Sequence, residues 1–179
     1  MFLAIAGNAR RIVLPLAGTS VGLGVAEIGG AMSLMSLADS VCFPAVGVLS
    51  DRYGRKFTGV PAYLMLSLGF FLLGSLDASS GGMQLTLAAL VIGVGNGMSS
   101  GIISMMGGDV SPPAPNSGLF MGIWAVLDDF GGALGPLAVG FFAQEVSVFF
   151  AASSVGAWAL GSASFFWLVV KETVRNPHL

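Results

Sequence analysis

The sequence predicts an all-α membrane protein of six transmembrane helices, and three observations predict it. The first is composition. Of 179 residues, 55% are hydrophobic and only 9% are charged, with a mean hydropathy of +0.88, whereas a soluble domain carries about 25% charged residues. So few charges cannot cover a surface in water, so the solvent of this chain is lipid. The second is a series of six long apolar runs parted by short breakers. The third is the placement of Lys and Arg, which favours six spans over five or seven.

Taken in order, the spans are expected at about 2–24, 27–49, 57–76, 83–105, 118–142 and 146–170, each near the roughly 20 residues a helix needs to cross the hydrocarbon core. Strands are not expected, because the runs are too long and do not alternate. Gly24, Tyr53-Gly54, the Ser-Ser-Gly-Gly turn at 79–82 and the proline-rich turn at 112–115 separate the runs. Span one contains Arg10, Arg11 and Pro15. Begun at Ile12 it is short before Gly24; begun at Phe2 it carries two arginines into the membrane. Arginines snorkelling to the interface would resolve this. Residues 171–179 form a polar tail.

The seven basic residues are Arg10, Arg11, Arg52, Arg55, Lys56, Lys171 and Arg175. With six spans they fall on one side or in the start of span one, and the opposite turns hold Glu27, Asp77 and Glu145. This is the positive-inside pattern, and it places both termini and the tail in the cytoplasm. The expected location is integral and multi-pass, in the plasma membrane. No cleavable signal peptide is expected, because no basic region precedes the first run and further spans follow it.

Several classes are disfavoured. The net charge of −2 and scattered basic groups leave no basic face for nucleic acid. Cys42 alone cannot form an internal disulfide, and His178 alone cannot hold a metal. No Gly-x4-Gly-Lys-Ser/Thr loop is present, which argues against an ATP-driven pump. The Gly-x-Gly-Asp pattern of intramembrane aspartyl proteases fails at Met106, before Gly107-Gly108-Asp109. No enzyme activity and no cofactor are expected.

The ionisable groups at depth are the first candidates for function. Asp39 lies twelve positions before Asp51, about 18 Å along a helix, near the middle of the bilayer. A charge there costs roughly 2.5–3.5 kcal/mol to insert, so it should face the bundle interior or a wet cavity. Ser36 is one turn earlier on the same face. Two readings stay open and are compatible: a permanent pair with Arg10 or Arg11, or a carboxyl that exchanges a proton between states. Asp128 shares a face with Gly131 and Gly135, while Asp129 is turned about 100° away, so one of the two acids should face the cavity. Asn96, between Gly95 and Gly97, suits a helix–helix hydrogen bond or a substrate contact.

Small residues mark close helix contacts in lipid. Gly93, Gly97 and Gly101 recur every four positions in span four, and Gly131 and Gly135 do so in span five, before Pro136. Tight packing is the simpler reading and a direct transport role the other. Pro136 can bend its helix and free a carbonyl.

The turn from Gly47 to Lys56, Gly-Val-Leu-Ser-Asp-Arg-Tyr-Gly-Arg-Lys, resembles the signature loop of the major facilitator superfamily of secondary transporters, Gly-x-x-x-Asp-Arg-x-Gly-Arg-Arg/Lys. Gly47, Asp51, Arg52, Gly54, Arg55 and Lys56 fill every defining position. Gly54 suits a turn with positive φ, and Arg55 and Lys56 suit the headgroup region. The resemblance assigns Asp51, Arg52 and Arg55 to gating, with topology and headgroup binding as the simpler alternative. Gly131, Gly135, Pro136 and Gly140 resemble the family's fifth-helix pattern, Gly-x-x-x-Gly-Pro-x-x-Gly-Gly, associated with proton-coupled antiporters; Val139 replaces one glycine. The Arg-x-x-x-Pro-Leu run at Arg11, Pro15 and Leu16 is similar to the first helix of a half-transporter, often the second half, and implies that Arg11 faces the cavity and meets acids such as Asp39. Gly93 to Gly97, Gly108-Asp109, Pro112, Gly122-Ile123-Trp124 and Glu172-Thr173 are similar to the same half of a drug or metabolite facilitator.

The family has twelve spans in two six-helix halves with the substrate site between them, so this chain resembles one six-helix half of such a bundle, possessing the features of the C-terminal one. The implied function is alternating-access transport of a small organic solute or drug, coupled to protons. The implied partners are that solute, the proton, the bilayer and a second six-helix half, from a longer chain or a second copy. The competing expectation is a truncated, non-transporting membrane protein acting as a dimer partner or scaffold.

Overall fold

In hydrocarbon, every backbone N–H and C=O must be satisfied within its own segment, so apolar runs of this length fold as helices. The structure, a computed structural model, describes residues 2–77, 81–113 and 115–169. Six helices fill them: α1 (Phe2–Ser20), α2 (Val25–Tyr53), α3 (Arg55–Gly74), α4 (Gly81–Asp109), α5 (Ser117–Glu145) and α6 (Val148–Val169). No strand occurs among the described residues. The 171–179 tail with Glu172 and Thr173, residue 170 and part of the 79–82 turn lie outside them.

α2 to α6 are each long and apolar enough to cross a membrane. At 29 residues, α2, α4 and α5 run to about 43 Å, so their ends pass beyond the hydrocarbon core and overrun the expected spans. α1 is less apolar, because it carries Arg10 and Arg11. It nevertheless packs along α5 and α6 as one of the bundle. It also stops at Ser20, short of the expected 24. The hydroxyls of Thr19 and Ser20 fold back onto the carbonyls of Leu16 and Ala17 at 2.9 and 2.8 Å, and Gly22 turns the chain with φ +81°.

α4 is the hub. It packs on α2 along one side and α3 along another, while α3 also carries α6 and α1 carries α5. Glycines set these distances. A Cβ on Gly97 would lie 2.5 Å from the Asp39 carbonyl oxygen, and one on Gly93 would collide with that of Met35. Both must be glycine for α2 and α4 to touch backbone to backbone. Gly95 points the other way, where a Cβ would come within 2.8 Å of Leu66 N on α3. Gly101 differs: its nearest neighbours are side chains at 3.6 Å, so the third glycine of the series is not needed for close approach. Gly135 meets the Ile5 carbonyl oxygen of α1 at 2.5 Å, Gly131 is buried, and Gly140 faces open space. Pro136 lies inside α5 without ending it.

The interior between these helices holds Leu14, Leu66, Phe70, Leu85, Ile92 and Phe166, all buried. The outer faces show Leu37, Val41, Leu68, Val126, Leu137, Phe141 and Leu168, a surface suited to lipid rather than water.

Candidate functional site

Two charged clusters sit at different depths. The first is at mid-bundle. Asp39 and Asn96 lie near the midpoints of α2 and α4, and Arg10 near that of α1. Arg10 Nη2 donates to Asp39 Oδ2 at 2.8 Å, with the two side chains 10% and 22% exposed. Asn96 Nδ2 donates to the same oxygen at 3.0 Å and to Ser100 Oγ at 3.1 Å. Asn96 thus makes a helix–helix bond, and one carboxylate ties α1, α2 and α4 together. Gly7 on α1 makes room, since a Cβ there would fall 2.9 Å from Asn96 Oδ1.

The expectation that Arg11 meets Asp39 is corrected. Arg10 takes that role, and Arg11 is exposed. One residue is about 100° of helix rotation, so the neighbours cannot share a face. Both still line a cavity of about 210 Å³ with Asn96, Ser99, Ser100 and Asp128. Of the two acids in α5, Asp128 faces this cavity and Asp129 is exposed. Ser36 does not join Asp39: it is exposed, and its hydroxyl bonds the Met32 carbonyl at 3.0 Å.

The second cluster closes one end of α2, α3 and α4. Gly54 is the only residue between α2 and α3. Its φ of +101° is one that side chains strongly disfavour. The turn directs Arg55 inward, leaving its side chain 8% exposed. Arg55 Nη1 donates to Asp51 Oδ1 at 2.8 Å and Ser50 Oγ at 2.9 Å, and Nε donates to Asp109 Oδ2 at 3.1 Å. Arg55 therefore joins the end of α2 to the end of α4. Asp51 pairs with Arg55, whereas Arg52 is exposed and forms no ion pair among the described residues. Lys56 Nζ donates to the Trp167 carbonyl at 2.9 Å and lies 5.8 Å from the Trp167 ring centre, which brings the end of α6 to the same face. Gly47 has its nearest outside neighbour in the Met105 methyl, 3.4 Å from where a Cβ would stand.

Arg10 and Asp109 are the residues that sequence reasoning undervalued. Asp109 had a usable signal: it is the acid that ends the fourth apolar run, and six-span topology puts it on the side of Arg55. Arg10 had none, because helix rotation chooses between adjacent arginines. No group of three or more metal-ligating side chains occurs among the described residues.

Comparison with known proteins agrees with this architecture. A profile of the Major Facilitator Superfamily matches residues 1–178. The chain is 33% identical over 141 residues to the vacuolar membrane amino acid uptake transporter fnx2 of Schizosaccharomyces pombe, covering 75% of this chain and 22% of that protein. It is 26% identical over 161 residues to the inner membrane transport protein YnfM of Escherichia coli, covering 90% and 38%. An uncharacterized Schizosaccharomyces pombe transporter is 29% identical over 145 residues, covering 78% and 24%. The chain therefore spans well under half the length of these relatives, and its six helices correspond to one half of a twelve-helix bundle. With the signature loop, the all-helical fold and a profile match over nearly its whole length, the chain belongs to the major facilitator superfamily.

Proposed function

We propose that this chain forms one six-helix half of a secondary active transporter, moving a small organic solute by alternating access with proton coupling, as in an antiporter. The observation that carries the reading is the Arg10–Asp39–Asn96 cluster at mid-helix, with Arg10 and Asn96 buried, Asp39 half-buried, and a polar cavity lined by the first and last. Ionised groups at that depth are costly, and in membrane proteins they mark solute or proton pathways. Asp39 is the candidate proton carrier, and Asn96, Asp128 and Arg10 are candidate cavity contacts, with the exposed Arg11 on the same lining and Asp129, also exposed, beside Asp128 in the chain. Arg55, held by Asp51 and Asp109, is the candidate gate: these pairs fix the ends of α2 and α4 in one state and part in another. The second half, from a longer chain or a second copy, would complete the solute site. The membrane proposed is the plasma membrane, with both termini cytoplasmic, as the basic residues favour.

The test is flux in proteoliposomes under an imposed pH gradient. Asp39→Asn is expected to abolish gradient-driven accumulation while leaving insertion and solute exchange in place. Accumulation that responds to the gradient as in the parent removes Asp39 from the coupling role.

A further inference from the structure

We infer that the cavity between α1, α4 and α5 is a half-site for a small zwitterion, a solute with a carboxylate and an ammonium group close together, such as a free amino acid. The inference deepens the transporter reading and rests on it for the cavity's role as a solute site.

Two residues that line this cavity carry unsatisfied buried atoms. Arg10 is nine-tenths buried and spends only Nη2 on Asp39. Its Nε and Nη1 are buried and have no hydrogen-bond partner among the described residues. Asp128, which lines the same cavity, has its Oδ1 buried and likewise without a hydrogen-bond partner among the described residues. A buried donor of positive charge and a buried acceptor of negative charge are each costly to leave unpaired. They line one cavity yet do not satisfy each other.

The ligand that resolves both carries both charges. Guanidinium N–H groups match a carboxylate, and the Asp128 oxygen accepts from an ammonium group. A simple anion would leave Asp128 unpaired and add a like charge beside it. A simple cation would leave Arg10 unpaired. The charges of the cavity lining and of the Arg10 partner point the same way: Arg10 and Arg11 stand against Asp39 and Asp128, so a ligand of no net charge adds none in a medium where net charge is expensive. Arg11, exposed at the rim, supplies a second cation that can meet the carboxylate as it enters.

The test is equilibrium binding to the protein assembled in lipid, measured separately from flux. The probes are leucine and glycine, with isoamylamine and 4-methylpentanoate as leucine lacking its carboxylate or its ammonium group. Leucine or glycine is expected to bind, and each single-charge analogue to bind at least about tenfold more weakly, as loss of one charged hydrogen bond implies. Arg10→Gln also breaks the pair with Asp39 and can prevent folding, so Asp128→Asn and Arg11→Gln carry the mutational arm. Asp128→Asn should weaken leucine binding by about tenfold or more and erase the preference over 4-methylpentanoate. Failure of both amino acids to bind at millimolar concentration overturns the inference, even if another solute is carried. So does equal binding of either analogue, or parental binding by Asp128→Asn. Leucine binding without flux of any solute would instead sink the transporter reading.

Discussion

Replacing Asp39 with leucine should destabilise the protein more than almost any other single change, and replacing its partner as well should restore most of the loss. The magnitude follows from the geometry. Arg10 is 10% exposed and its one hydrogen bond among the described residues is the 2.8 Å contact with Asp39. Asp39→Leu therefore strands a buried cation, at a cost of about 3–5 kcal/mol. Asn96 loses its 3.0 Å bond to Asp39 but keeps Ser100, which adds about 0.6 kcal/mol, the usual size of an interhelical hydrogen bond in a membrane. Arg10→Met with Asp39→Leu removes both charges and fills the space with apolar atoms, an exchange that is often neutral or stabilising. The coupling between the two sites should then exceed about 2 kcal/mol. Reversible unfolding of the four proteins of the cycle in the same lipid and detergent measures it. An Asp39→Leu variant within about 1 kcal/mol of the parent would refute the reasoning, as would a double variant less stable than either single one. If the double variant is stable but carries no solute, the charges are kept for function and not for folding.

Two further predictions concern the α2–α4 contact and its end. Gly97→Ala should cost about 1–3 kcal/mol, because its methyl group would meet the Asp39 carbonyl oxygen at 2.5 Å, whereas Gly101→Ala, with nothing nearer than 3.6 Å, should stay within about 0.5 kcal/mol; equal effects in thermal unfolding would contradict the packing. Arg55→Lys should lower stability by about 1–3 kcal/mol, since one ammonium group cannot hold Asp51, Ser50 and Asp109 as the guanidinium does, and an unfolding midpoint matching the parent would show that Arg55 is dispensable there.

Much of this architecture was legible because lipid imposes strong rules. Run length, breakers and the absence of alternation lead directly to six helices, and the Asp51–Lys56 turn lies where one residue, Gly54, parts α2 from α3. Depth was legible too, since counting twelve residues back from Asp51 puts Asp39 near the middle of α2. Rotation was not. Arg10 and Arg11 are neighbours about 100° apart on one helix, and the pattern of α1 alone does not say which of them meets an acid of another helix, so the two could not be told apart. The same blindness applies to the glycines: Gly93, Gly97 and Gly101 look equivalent by spacing, yet only the first two meet backbone. Long-range partners such as Asp109 depend on which helices pack, and a single sequence holds that only through topology.

The two clusters take on a common sense when they are set on the same pair of helices. Gly93 and Gly97 bring α2 against α4 with no side chain between them, and Asn96 reaches Asp39 because of that approach. Twelve residues further along α2, at Asp51, Arg55 of α3 fastens the same two helices by their ends through Asp51 and Asp109. α2 and α4 are thus held at two depths, by hydrogen bonds at mid-bundle and ion pairs at the rim, and any relative shift must release both. α1 stands differently. It packs chiefly along α5 and α6 and touches α2 little, so Arg10–Asp39 is its polar tie to the α2–α4 pair. A proton on Asp39 or an anionic group on Arg10 acts on that tie directly, while the glycine contact beside it stays intact. On the proposed reading, this is how a change of charge at mid-membrane becomes a movement of helices: a bond sensitive to charge joins two elements that packing binds only weakly.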